Sequence, residues 1–255
     1  MKKNKFYLLA HQDDEFGVFI DIYNSLKKYN IYIFYLTNGS NKKKVNSKLS
    51  IRDQESLKVL KQIGIQENNI IFLGKNLNVK CNCLYLNIEK TYTELCSFLK
   101  KKKIKPSKLV SLSWEGGHED HDACNLITRK LAYKFDIIKE CNEFSLYNAF
   151  NTKIIYFRVF NPIYKKGIFV KTSLLKRLFF IKLLFIYKSQ FKIWIGLYPF
   201  IICHYLFLGY NFLQPLNKDK IIKKPHKGKL LYEFREFCKF NKFRTKTFSF
   251  LNDIG

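Results

Sequence analysis

Two short acidic segments hold most of the histidine in this chain, and their residue types are those of a hydrolytic metal centre. His11-Gln12-Asp13-Asp14-Glu15 follows the apolar run Leu8-Leu9-Ala10, and Gly116-Gly117-His118-Glu119-Asp120-His121 follows the apolar residues 109–112. Three of the five histidines lie in these segments. Imidazole and carboxylate ligands suit zinc, and a site with three protein ligands keeps a position for a water whose pKa falls towards ~7. His11 and Asp14 are three apart, so at a strand-to-helix turn both side chains can point at one ion, and His121 can supply the third ligand. Asp13, beside the ligand pair, is placed to take a proton from the water. His118 stands one helical step from His121 and can protonate a leaving nitrogen or stabilise an oxyanion. Asp120 is expected to hold the His118 ring in its working tautomer. Taken singly, each segment also reads as ordinary surface, since paired aspartates complement a helix N-terminus. Their joint occurrence favours the metal.

The elements that must position these residues alternate along the first half of the chain. Residues 5–10 read as a strand, 16–29 as a helix, and 31–36 as a second strand closed by Thr37-Asn38-Gly39. Ser50 or Asp53 can start a helix that ends at Gly64, and 69–73 form a strand closed by Gly74. A helix over 88–99, a strand over 108–112 and a helix over 122–135 complete the pattern. Such alternation predicts an α/β fold: a mostly parallel sheet covered by helices on both faces. Ligands bind such sheets off the carboxyl ends of the strands, where both histidine segments fall.

The rhythm changes after residue 140. Residues 143–147 and 153–160 read as strands at a sheet edge, and Thr172 can cap a helix with Lys176, Arg177, Lys182 and Lys188 on its polar side. Residues 193–212 are almost all apolar, close to the ~20 residues a spanning helix needs. Gly196, Pro199, His204 and Gly209 interrupt the run. A membrane-surface or substrate-lipid role ranks first for it, a buried helical hairpin second and a true span third. The expected organisation is a core over 1–160 and a largely helical, apolar C-terminal extension over 161–255 that completes the domain.

The 255 residues are 47% hydrophobic and 26% charged, which excludes disordered and fibrous classes. Net charge is +26, from 46 Lys and Arg against 20 Asp and Glu. That balance suits an anionic partner, although the abundance of Lys, Asn, Ile, Phe and Tyr also fits a biased genome. Nucleic-acid binding is not expected, because charge is its only support. Seven scattered cysteines, and an N-terminus read as lacking a secretory leader, favour a reducing cytoplasmic location, with the inner membrane face as a variant. Cys81-Asn82-Cys83 has the wrong spacing for common zinc knuckles.

Beyond chemistry and spacing, the residues match a family. Ala10-His11-Gln12-Asp13-Asp14-Glu15 with His118-Glu119-Asp120-His121 closely resembles the PIG-L/LmbE-type zinc de-N-acetylases, whose motifs read A-H-[PA]-D-D-E and H-P-D-H. Thr37-Asn38-Gly39, Arg52-Asp53-Gln54-Glu55 and Trp114-Glu115-Gly116-Gly117 agree as well. Tyr187-Lys188-Ser189-Gln190 and Tyr232-Glu233-Phe234-Arg235 are weaker echoes. The resemblance covers about the first 150 residues. It implies a Rossmann-like fold, one zinc on His11, Asp14 and His121, Asp13 as base and His118 as acid or oxyanion partner. It also implies substrate contacts from Arg52 and Asn38, and an N-acetylglucosamine conjugate as substrate, lipid- or nucleotide-linked among the options. Gln12 and Glu119 stand where the family usually has proline, and Gly116 where some members carry tyrosine. Two rival readings are a non-haem iron enzyme on the same ligands and an inactive, basic, membrane-associated binding protein. Oligomeric state is left open.

Overall fold

The computed structural model describes residues 2–40, 50–153, 157–216 and 223–252. In chain order the strands are β1 (Lys3–Leu9), β2 (Tyr29–Tyr35), β3 (Ile70–Ile71), β4 (Lys108–Leu112), β5 (Asn142–Phe144), β6 (Tyr147–Asn148), β7 (Arg158–Val159), β8 (Ile168–Lys171) and β9 (Tyr210–Pro215). The longer helices are α1 (Phe19–Ser25), α2 (Ile51–Ile63), α4 (Ile88–Lys102), α5 (Glu119–Lys134), α6 (Leu174–Leu184) and α10 (Phe240–Asn252). Short turns of helix, α3 (Leu73–Asn76), α7 (Phe191–Trp194), α8 (Tyr198–Cys203) and α9 (Leu231–Phe234), lie between them.

The main sheet has seven strands in the order β3-β2-β1-β4-β5-β9-β8. The first five run parallel, and β9 turns antiparallel against β5 and β8. From Phe6 to Leu9, β1 is buried on both faces, which is why its apolar run is continuous rather than alternating. Helix contacts fall into two groups, α1 with α2, and α4 with α5 and α10. Right-handed crossovers put these groups on opposite faces. The chain winds one way from β1 to β2 and the other way from β4 to β5. The crevice at that reversal lies off the ends of β1 and β4, where the two histidine segments begin.

The fold class is as the sequence implied; several boundaries differ. The helix expected over 16–29 is a 3₁₀ turn at Asp14–Gly17 followed by the shorter α1, because Tyr29 already pairs with Lys3 at the start of β2. The strand over 69–73 shrinks to β3, since the chain coils at Leu73 to press Gly74 onto the Leu36 backbone. Ser50 caps α2 in a capping box with Asp53, and Gly64 closes it at φ +113°. Ser173, not Thr172, is the N-cap of α6. Residues 143–147 divide between β5 and β6. Of the strand over 153–160, β7 remains, and 154–156 lie outside the described residues.

The apolar run 193–212 is neither a hairpin nor a span. It breaks into α7, α8, a π-helical turn at His204–Leu208 and the start of β9. Pro199 fits the first turn of α8, and Gly209 reverses the chain at φ +56°. Among the described residues no helix is long and apolar enough to cross a membrane. The segment leaves large side chains in solvent, with Phe207 77% and Ile195 64% exposed.

Candidate metal centre

The loop leaving β1 is held tightly by its own side chains. The His11 amide donates to Asp14 Oδ2 at 2.7 Å, and the Asp13 amide donates to Glu15 Oε2 at 2.9 Å. Asp13 is thereby kept at φ +123°, a backbone state that L-residues avoid at a cost of about 1–3 kcal/mol. Such strain persists only where the surroundings impose it. Here Tyr187 donates to the other Glu15 oxygen at 2.6 Å, and the Arg52 guanidinium donates to Asp13 Oδ1 at 2.6 Å.

The loop and the start of α5 bring together two triads of potential ligands, His11–Asp14–His121 and His11–His118–Asp120, each with donor atoms within 4.8 Å of one another. Hydrogen bonding separates them. Asp120 is already used, accepting from the backbone amides of Asn82 at 2.6 Å and Leu84 at 2.9 Å and meeting His11 Nε2 at 3.0 Å. Its carboxylate therefore orients His11 rather than His118, which corrects the expected pairing. With Nε2 so engaged, His11 Nδ1 faces Asp14 Oδ2 at 3.6 Å. His121 Nε2 lies 3.2 Å from Asp14 Oδ1 without hydrogen-bond alignment, and both its ring nitrogens are buried without a hydrogen-bond partner. A buried imidazole with orphaned nitrogens beside a carboxylate is what a metal ligand looks like without its ion. Burial opposes charge on Asp14, yet His121 and His11 hold its carboxyl well below the usual carboxylate range, so it is ionised and ready to ligate. The donor set fits a zinc-type ion on His11, Asp14 and His121.

His118 caps α5: its Nδ1 accepts from the Asp120 amide at 3.1 Å. Burial, reinforced by His11 and His121, pushes its imidazole well below the ordinary range. The ring is thus neutral, with its proton on Nε2. Burial pushes Asp13 up to about 7, against the opposing pull of Arg52. Arg52 is largely engaged by this frame, since Nε donates to the Gln12 carbonyl at 2.6 Å and Nη1 to the Gly39 carbonyl at 3.2 Å. Gln12 donates to Asp53 Oδ1 at 2.8 Å and so ties the loop to the cap of α2.

These groups meet at one cavity of about 460 Å³, lined by His11, Asp13, Asp14, Arg52 and His118. His121 is just beneath it, 1% exposed. Asn38 is not in the wall: fully buried, it donates to Asn78 Oδ1 and accepts from the Ser40 amide, so it shapes the turn after β2. The opposite wall comes from residues that spacing alone did not single out, among them Tyr147, Gln190, Trp194, Leu197, Arg235 and Phe237. The weak echoes at 187–190 and 232–235 pointed to Gln190 and Arg235 alone, and the apolar run 193–212 held Trp194 and Leu197. Gly117 makes room for Tyr147, because a Cβ there would drive into the Tyr147 carbonyl oxygen.

Comparison with known proteins agrees with this geometry. The sequence model of the PIG-L family, described as GlcNAc-PI de-N-acetylase, matches residues 6–132. Among curated proteins, none matches the chain. The zinc-inhibited form of teicoplanin deacetylase Orf2 superposes with a TM-score of 0.60 at 10% identity, covering 83% of this chain and 96% of that one. N,N'-diacetylchitobiose deacetylase from Pyrococcus horikoshii gives 0.54 at 17% identity, covering 84% of each chain. A conserved protein from Thermus thermophilus, TT1542, gives 0.54 at 16% identity, covering 84% of this chain and 93% of that one. At these identities the likeness concerns the fold. Family match, fold and the two histidine segments agree: the chain belongs to the PIG-L family of deacetylases.

Proposed function

We propose that this protein is a zinc-dependent de-N-acetylase that hydrolyses the acetamido group of an N-acetylglucosamine-type conjugate. The observation that carries the reading is the convergence of His11, Asp14 and His121 beneath a cavity that also exposes Asp13 and His118. When bound, the metal supplies Lewis-acid polarisation of the amide carbonyl and of the attacking water. Asp13 takes a proton from that water as its oxygen adds to the acetyl carbon, and Arg52 fixes the carboxylate in place. His118 presents a neutral Nε2–H, which stabilises the developing negative charge, and the proton accepted by Asp13 passes to the sugar nitrogen as the carbon–nitrogen bond breaks. The products are acetate and a free amino sugar. Asp120 acts one step back by holding the His11 ring. The family match and the deacetylases among the structural neighbours support this assignment.

Peripheral contact with a lipid surface belongs to the same proposal. Its support is the exposed apolar set on α6–α8 interleaved with Lys176, Lys182, Lys188 and Lys192. The inner side of this segment contributes Gln190, Trp194 and Leu197 to the cavity. The deciding assay incubates zinc-loaded protein with N-acetylglucosamine, UDP-N-acetylglucosamine and N-acetylglucosaminyl lipids and measures released acetate. Release from at least one, abolished by chelation and restored by zinc, is the expected result. No acetate from any of them would overturn the assignment.

A further inference from the structure

The cavity holds two arginines in opposite states. Arg52 has its Nε and both terminal nitrogens engaged by Gln12, Gly39 and Asp13, so little of its hydrogen-bonding capacity is left for a substrate. Arg235 makes no side-chain hydrogen bond and no ion pair among the described residues. Its guanidinium carbon lies 5.4 Å from the centre of the Tyr147 ring, and that ring packs 5.3 Å from His121. A partly buried cation stacked on an aromatic face, without a carboxylate partner, is an incomplete anion site.

The residue is held there. The Leu231 amide donates to the Gly116 carbonyl at 2.9 Å, fastening α9 to the segment that leads into His118. Glu233 accepts from the Leu230 amide at 2.9 Å, the Phe240 amide at 3.0 Å and Lys224 Nζ at 2.8 Å. The Arg235 amide itself donates to the Leu231 carbonyl at 3.0 Å. Two residues on, the Phe237 ring packs tilted at 5.6 Å from His118 and also lines a second cavity of about 840 Å³. That neighbour carries Lys224, Lys229, Lys239 and Lys242 against Glu233 and Glu236. Positive potential therefore continues from Arg235 across Phe237 and away from the metal ligands.

We infer that Arg235 is a specificity-determining residue that binds an oxyanion substituent, phosphate or carboxylate, carried by the amino sugar beside its acetamido group. This rests on the proposed deacetylase reading for the sugar, but the anion preference can be measured without turnover. Calorimetry on the zinc-loaded protein would compare glucosamine, glucosamine 1-phosphate and glucosaminuronic acid. Wild type should bind one anionic sugar at least tenfold more tightly than glucosamine, and the better anion identifies the source of the charge. Arg235→Ala should lower that preference by roughly ten- to a hundredfold, as for a hydrogen bond to a charged group. Arg235→Lys should keep part of it, and melting curves confirm that each variant folds. Equal or undetectable binding of all three sugars by wild type, or an undiminished preference in Arg235→Ala, would overturn the inference. Acetate release from the N-acetyl counterparts separates the two readings. Anion preference without release sinks the reaction and leaves Arg235, while release without anion preference does the reverse.

Discussion

Alanine at His11, Asp14 or His121 should strip the metal, because a site with three protein ligands has none to spare. Metal analysis after dialysis tests each variant, and full occupancy in any one removes that residue from the ligand set. Asp13→Asn should differ. It keeps the ligands, so zinc content stays normal, while turnover falls by roughly two to four orders of magnitude if Asp13 is the base. A near-normal rate would move that role elsewhere. A second carboxyl offers a pH signature away from the ligands. Glu115 is buried and accepts from Ser145 Oγ, the Leu146 and Tyr147 amides and Asn148 Nδ2. Burial still pushes it up from 4.5 to about 7. Between those values the folded chain keeps a proton that the unfolded chain has released, so stability from this group falls as pH rises and levels off above about 7. The slope cannot exceed about 1.4 kcal/mol per pH unit for one proton. Urea midpoints at pH 5.5 and 7.5 should show wild type losing stability relative to Glu115→Gln, which cannot titrate. Parallel responses in the two proteins would refute the shift.

At the scale of elements, legibility followed sequence distance. His11, Asp13 and Asp14 share one loop, and His118 and His121 one helix start, so their cooperation needs only a strand end and a turn. The parallel core was legible for the same reason, since buried strands and capped helices are written locally in apolar runs and in pairs such as Ser50 and Asp53. Arg235, Tyr147 and Gln190 reach the cavity through long-range packing, which no spacing encodes. The partner of Asp120 escaped for a related reason. Adjacency suggested His118, whereas the Asp120 carboxylate lies 3.0 Å from His11 Nε2, a residue 109 positions earlier. Tyr187 shows how the later segments hold the earlier ones, since its hydroxyl reaches Glu15 across 172 positions. Tyr187→Phe leaves that buried acceptor short of a donor and should cost about 1–3 kcal/mol. Because Glu15 also anchors the strained Asp13, activity should fall further than stability alone explains. A variant with wild-type melting and wild-type rate would show that the 187–190 segment merely covers the loop.

The molecule as a whole is lopsided in charge and in surface. Its +26 charge is spread over the chain, but its exposed large apolar side chains concentrate between Ile168 and Leu208. Leu174, Leu175 and Leu178 on α6 lie near Phe207 and Leu208, because α6 packs against the π-helical turn and Arg177 donates to the Leu206 carbonyl at 3.3 Å. Soluble surfaces rarely expose so many large apolar groups together, and lysines among them suit anionic headgroups. The expected mode is shallow insertion, since no described helix can span a bilayer. Cosedimentation with vesicles of phosphatidylcholine alone, or with about a third phosphatidylglycerol, distinguishes the contributions. Binding should require the anionic lipid, weaken in high salt as surface charges are screened, and drop roughly tenfold or more in a Leu175→Ser, Phe207→Ser double variant. Those two side chains are solvent-exposed, so the variant should melt like wild type. A protein that ignores both vesicles but elutes as a dimer, and as a monomer once the two residues are changed, would instead assign the face to a second copy of the chain.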